Sequence, residues 1–294
     1  MNNNSITHPI CKNDKIGIIG GKGAMGQWLC TFFESFGYNI KISDIDTELS
    51  NKEIAAMCRV VILSTPIKEA IKISESIGRI LKPNQVLMDI CSQKEDILDA
   101  MLKNSVSDVI GTHPMFGPTI TSIKNQNIVV CRGRGNIGYS WVKKIFSKKG
   151  GNVKILKADD HDRTMAVVQS LTHFLTISFA KMLKTMDIHP KNIFDISTPI
   201  FKINADLIGR LFAQDPELYA TLVGSNKYAD QCLKIFSQSF QETKEKLMSG
   251  SLKEASNYIK DTGAFLDKPL HKYRGNYKQE AMDRSNKFLN IIFE

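Results

Sequence analysis

The stretch KIGIIGGKGAMGQWLCTFF, residues 15–33, decides the fold. Lys15–Gly20 is a short β-type run, Met25–Phe36 has the apolar spacing of an amphipathic helix, and Gly21-x-Gly23-x-x-Gly26 lies where one passes into the other. A glycine triplet alone says little, but directly after a strand and opening a helix it is the signature of a dinucleotide-binding turn. Gly21 is expected to permit the tight turn, Gly23 to let the pyrophosphate approach the backbone, and Gly26 to bring helix and strand close. The helix N-terminus, with Met25 in its first turn, would then present free N–H groups and partial positive charge to the phosphates. Asp44 ends the next β-type run, 23 positions after Gly21. Its carboxylate suits the adenosine ribose hydroxyls and repels the extra phosphate of NADP, so NAD is the expected cofactor, with nearby Asp46 as the rival acid.

Working outward, short β-type runs alternate with helical stretches as far as Lys157, the rhythm of βαβ units and a mostly parallel sheet. The runs are Lys15–Gly20, Asn39–Asp44, Val60–Thr65, Val86–Ile90, Val109–Thr112, Ile128–Cys131 and Val153–Leu156, with Ile67–Leu81 as a second clear helix. After Ala158 the β-type runs nearly vanish. Asp160–Met186 and Ile193–Leu211 read as long helices, Asp215-Pro216 as a cap followed by proline at the first helical position, and Gly250 and Gly263 as helix ends. The expected organisation is a polar tail (1–14), an α/β Rossmann-type domain (15–158) and an all-α domain (159–294). The second has more apolar faces than one thin bundle readily covers, which suits pairing with a second copy, with a compact monomeric bundle as the alternative.

Composition narrows the class. The chain has 294 residues, 42% of them hydrophobic, enough for two cores. No run approaches the roughly 20 apolar residues of a membrane span, and the first residues lack the apolar run of a signal peptide. A soluble, cytoplasmic protein is expected. Six scattered cysteines offer neither a CxxC pair nor a zinc spacing, so they read as reduced, mostly buried thiols, and no metal is expected. Of the net charge of +9, residues 1–158 hold +8, but 31 of the 39 basic residues are dispersed lysines. Such scatter favours an anionic small ligand or plain compositional bias over nucleic acid.

Ligands of open α/β sheets lie beyond the carboxyl ends of the strands. Three polar segments sit there: Ser64-Thr65-Pro66, in which Thr65 and Pro66 are cofactor candidates, Asp89-Ile90-Cys91-Ser92-Gln93-Lys94, and Gly111-Thr112-His113-Pro114. A histidine between Gly111 and Pro114 is expected in a rigid loop over the nicotinamide rather than in the core.

The motifs IGIIGGKGAMG, THPMFGPT, HDRTMAVVQSLTHF and STPIFKINADLIGRLFAQDPELYA, in this order, resemble the prephenate dehydrogenase family, in particular the dehydrogenase portion of bifunctional chorismate mutase–prephenate dehydrogenases. The likeness runs from about Lys15 to Tyr228. It implies oxidative decarboxylation of prephenate on the path to tyrosine, with His113 assisting oxidation at the ring hydroxyl and Ser92 orienting that histidine. It also implies that Arg210 binds a prephenate carboxylate and that Lys94, Lys202 and His173 face the substrate. Lys202 stands where relatives often have arginine. A homodimer through the helical domain and inhibition by tyrosine are further implications. The first strand begins at Lys15, so no chorismate mutase activity is expected. Arogenate or 4-amino-4-deoxyprephenate would suit the same fold. A non-catalytic NAD-binding sensor would keep the glycines without needing His113, Ser92 and Arg210 together.

Overall fold

The computed structural model describes residues 9–268 and 275–293. The chain divides into two compact units, Met1–Met165 and Ala166–Glu294.

In the first unit, seven strands form one sheet: β1 (Lys15–Ile19), β2 (Asn39–Ser43), β3 (Val60–Leu63), β4 (Val86–Asp89), β5 (Asp108–Pro114), β6 (Asn127–Arg134) and β7 (Asn152–Leu156). Their order is β2-β1-β3-β4-β5-β6-β7. All neighbours are parallel except β5 and β6, which run antiparallel. The helices cover both faces, because right-handed βαβ crossovers leading to either side of β1 fall on opposite faces. On one face α1 (Ala24–Glu34) and α5 (Ile137–Lys148) bury Leu29, Phe33, Trp141 and Phe146 against Ile16, Ile18, Ile62 and Met88. On the other, α2 (Asn51–Met57), α3 (Ile67–Ile77) and α4 (Glu95–Asn104) bury Ile54, Ala70, Ile77, Ile97 and Met101 against Val61, Leu63, Leu87 and Val109. Strands covered on both sides read as the unbroken apolar runs seen at β3 and β4. Because β1 pairs with β2 on one side and β3 on the other, chain direction across the sheet reverses there, which opens a crevice at the carboxyl ends of β1 and β3.

The sequence reading stops β5 at Thr112, yet the strand continues through His113 and Pro114. Pairing with β4 ends at Gly111, but antiparallel β6 carries the ladder on, matching His113 with Val129 and Pro114 with Ile128. An edge contributed by a later strand leaves no local mark at residue 113. The short helices α2, α4 and α5 escape the periodicity argument; α2 is set by a capping box in which Ser50 and Glu53 exchange bonds.

After β7 the chain is helical from α6 (Ala158–Met165), through a π-helical turn (Ala166–Leu171), into α7 (Thr172–Thr185). Among the described residues this one helix, Ala158–Thr185, is long and apolar enough to cross a membrane by length and composition, contrary to the expectation of no such stretch. Its apolar residues are interrupted by polar ones, which a search for continuous runs passes over. His161, Asp162 and Met165 at its start are buried in the first unit. That packing puts α6 with the sheet and moves the division from the expected Ala158/Asp159 to Met165/Ala166.

The second unit continues with α8 (Pro190–Ile193), α9 (Pro199–Phe212), α10 (Pro216–Gly224), α11 (Ala229–Leu247), α12 (Leu252–Ala264) and α13 (Tyr277–Phe293). The single helix expected over Ile193–Leu211 is broken at Ser197-Thr198, because Thr198 caps α9 through Phe201 N–H and Pro199 takes its first position. Asp215 caps α10 as expected. Gly250 ends a helix with φ +80°, whereas Gly263 lies inside α12. Cys58, Cys91 and Cys131 are buried, Cys30 and Cys232 half-buried and Cys11 exposed, fewer buried than expected. The expected tail at 1–14 lies outside the described residues as far as residue 8; Cys11–Asp14 closes a turn.

Candidate functional site

The crevice at β1 and β3 is built from backbone. Gly20, rather than Gly21, supplies the turn: its φ is +85°, and a Cβ there would lie 2.3 Å from the Ser64 carbonyl oxygen. At Gly21 the constraint is space, since a Cβ would meet the Ile42 side chain at 2.6 Å. Gly26 lies so close to the loop that a Cβ would sit 2.1 Å from Gly20 O, consistent with the packing role expected of it. Gly23 differs. It is exposed, and its Cβ would have one neighbour, Gly20 O, at 3.4 Å, so the space over this residue is open. It caps α1 without a side chain, and the first turn, containing Met25, has no acidic residue to occupy the dipole.

Asp44 follows β2 and is half-buried. One carboxylate oxygen accepts from Lys22 N–H at 2.8 Å and the other from Ile45 N–H at 2.9 Å. The acid thus holds the glycine loop. Asp46 is exposed, and its carbonyl accepts from Lys22 Nζ at 2.7 Å. At the end of β3, the Ser64 and Thr65 hydroxyls are buried without a hydrogen-bond partner among the described residues, while Pro66 is exposed and opens α3. Two orphaned hydroxyls, an open glycine and an uncapped helix N-terminus are what a bound dinucleotide would satisfy. The residues present therefore fit the group.

A second polar cluster lies at the ends of β4 and β5. His113 is 3% exposed, in the strand and not in the loop expected for it. Its Nδ1 is 2.9 Å from Nε2 of His161, whose own Nδ1 is 2.7 Å from the Asp162 carboxylate. Burial, reinforced by His161 and Lys94, holds the His113 imidazole well below the usual histidine range. Ser92 is half-buried in the turn after β4, and the group at His113 Nδ1 is His161. Asp162 also accepts from the N–H groups of Lys94 (2.8 Å) and Glu95 (2.9 Å), capping α4, whose own N-cap residue, Lys94, contributes no side-chain bond.

Lys94 is placed differently from the expectation of a substrate contact. Its side chain is fully buried beneath Gly111, its ammonium paired with Asp89 and donating to Thr112 O at 2.8 Å. Burial pushes the Asp89 carboxyl up, and the Lys94 charge opposes that push. Counting lysine as a solvent-seeking residue hid this pair. His161 was also missed as a site residue. Its signal was a His-Asp pair preceding Met165 and Ala166 on one helix face, polar groups where an apolar stripe should run.

In the second unit, Lys202 and Arg210 both lie on α9, eight residues apart. The Arg210 guanidinium is exposed, and Asp206, four residues earlier, forms no ion pair with it. Lys202 is half-buried with its ammonium 4.9 Å from the Phe194 ring centre. His173 is half-buried on α7, edge-on to Tyr219 at 4.9 Å, and burial lowers its pKa.

Comparison with known proteins agrees with this layout. Residues 38–136 match the family described as prephenate dehydrogenase, nucleotide-binding domain, and residues 157–261 the one described as prephenate dehydrogenase, dimerization domain. The chain is 32% identical to the T-protein of Haemophilus influenzae over 278 residues, covering 94% of this chain and 71% of that protein. It is 32% identical to the T-protein of Enterobacter agglomerans over 228 residues, covering 76% of this chain and 60% of that one. Among solved structures, prephenate dehydrogenase from A. aeolicus, in complex with hydroxyphenyl propionate and NAD+, superimposes with a TM-score of 0.70 at 18% identity, over 86% of this chain and 97% of that one. That last likeness concerns the fold. From the two domain matches and the near full-length relative, the chain belongs to the prephenate dehydrogenase family of oxidoreductases.

Proposed function

We propose that the protein is an NAD-dependent prephenate dehydrogenase that converts prephenate to 4-hydroxyphenylpyruvate and carbon dioxide in tyrosine biosynthesis. The observation carrying this reading is a buried histidine, His113, held neutral at the carboxyl edge of a nucleotide-binding sheet. NAD, when bound, supplies the hydride acceptor. The open backbone at Gly23, the α1 N-terminus and the Ser64 and Thr65 hydroxyls would hold it, and Asp44 would take the adenosine ribose.

Oxidation of the ring carbinol requires the hydroxyl proton to leave as the hydride departs, and a neutral imidazole is suited to take it. His113 accepts that proton. Loss of the carboxylate on the quaternary carbon as carbon dioxide then makes the ring aromatic. Prephenate carries two carboxylates, and Arg210, exposed and with no carboxylate partner among the described residues, presents a guanidinium fork suited to one of them. Ser92 is a candidate for orienting His113, His173 for a contact to substrate or tyrosine, and Lys202 for a point-charge contact. The helical unit is the surface through which two copies pair, and tyrosine, resembling the product ring, is the expected inhibitor.

The experiment is purified protein with NAD or NADP and, in turn, prephenate, arogenate and 4-amino-4-deoxyprephenate, followed by absorbance of the reduced cofactor. Turnover with NAD and prephenate above the other combinations is expected. A preference for an amino substrate, or for NADP, overturns the assignment.

A further inference from the structure

The geometry points to His161 as a positioning residue that, with Asp162, fixes the tautomer of His113 and shares the proton it receives. The inference rests on the proposed role of His113 as base.

The hydrogen-bond chain assigns the protons. Asp162, accepting from the backbone N–H groups of Lys94 and Glu95, is a carboxylate acceptor, so His161 Nδ1 at 2.7 Å is the donor to it. A neutral His161 therefore carries a lone pair on Nε2. Facing that lone pair at 2.9 Å, His113 Nδ1 must be the protonated nitrogen, which leaves His113 Nε2 as the basic one. The rings meet edge to face, with centroids 5.1 Å apart, so the contact is a hydrogen bond in direction and not a ring stack.

Once His113 takes the substrate proton on Nε2 it becomes a buried imidazolium. The ammonium of Lys94, itself paired with Asp89, opposes that charge. Transfer of the Nδ1 proton to His161 Nε2 moves the positive charge one ring further, to an imidazolium in direct contact with the Asp162 carboxylate. The proton count balances: one proton leaves the substrate hydroxyl, one crosses between the rings, and His113 returns to a neutral ring. Both His161 and Asp162 are buried, 0% and 5% exposed, so solvent does not substitute for them. The carboxylate that receives this charge is anchored by backbone N–H groups and cannot follow the proton.

The test combines a spectroscopic and a kinetic measurement on the full chain. In wild-type protein labelled with ¹⁵N-histidine, His113 is expected as the Nδ1–H tautomer. His161→Phe removes the acceptor, and kcat is expected to fall by roughly 10²-fold or more, the scale of acid–base catalysis, with the Kd for NAD unchanged. His161→Gln can still accept from His113 Nδ1–H but cannot take the proton, so it should keep the tautomer and recover only part of kcat. A wild-type His113 protonated on Nε2, or a folded His161→Phe enzyme with wild-type kcat, overturns the relay. His113→Asn turning over at the wild-type rate overturns instead the base assignment beneath it.

Discussion

The last two glycines of the motif, Gly23 and Gly26, separate binding from folding, and alanine at each makes the separation measurable. At Gly26 the added carbon would stand 2.1 Å from Gly20 O and 2.9 Å from Gly21 Cα, both backbone atoms that no rotamer change can clear. Helix α1 must move away from β1 by more than an ångström, and overpacking of this kind costs about 1–3 kcal/mol. For a unit of this size, that lowers Tm by about 2–12 °C. At Gly23 φ is −65°, which alanine adopts without strain, and the single neighbour lies at 3.4 Å. Gly23→Ala should fold with unchanged stability, or gain up to about 1 kcal/mol from a stiffer unfolded chain. Its methyl nevertheless fills the space a pyrophosphate needs, so NAD affinity should fall at least tenfold, about 1.4 kcal/mol. Calorimetric titration with NAD alongside thermal melts reads both effects. A Gly23→Ala protein that binds NAD like wild type, or a Gly26→Ala protein with the wild-type Tm, refutes the assignment of space around this loop.

Other expectations concern charge. Arg210→Ala should raise KM for prephenate about tenfold or more, the loss of charge-assisted bonds worth about 1.5–3 kcal/mol each, with Kd for NAD and Tm unchanged; lysine should restore part. Unchanged steady-state constants would remove Arg210 from the site. His113→Asn should bind NAD and lose about 10²–10⁴ in kcat. Because the folded-state pKa of His113 is depressed, the unfolded chain binds the extra proton, so stability is full above the unfolded value near 6.5 and declines as pH falls below it. Melts across that range should show a shallower decline in His113→Asn, and equal slopes would show that the residue does not titrate as placed. Lys94→Ala strands Asp89 as a buried, unpaired carboxylate and should destabilise by about 3–5 kcal/mol in urea unfolding; a stable variant altered only in substrate KM would reinstate Lys94 as a substrate contact. Asp44→Ser should narrow the preference for NAD over NADP, measured as a ratio of kcat/KM, and an unchanged ratio would assign selectivity elsewhere.

What could be read from the chain beforehand follows from where information is local. Val60–Leu63 and Val86–Asp89 are buried on both faces, so their apolar runs mark them almost to the residue. The glycine spacing placed the nucleotide crevice, yet the left-handed turn sits at Gly20, because which glycine bears it depends on how closely β3 approaches. Lys94 and His161 were opaque for a shared reason. Neither residue type announces burial: Asp89 stands only five positions before Lys94, yet nothing local says that the pair is enclosed, and His113 stands 48 positions before His161, on a strand that the helix meets only in the fold.

Asp162 ties a helix end to an imidazole chain, and a consequence follows for local motion. The amide protons of Lys94 and Glu95 exchange with solvent only when the first turn of α4 lets go of that carboxylate. In the same opening, His161 loses the acceptor that orients it. The exchange protection of these two amides should therefore measure the free energy with which the protein keeps its histidines aligned, and denaturant or substitutions that fray α4 should erode both together.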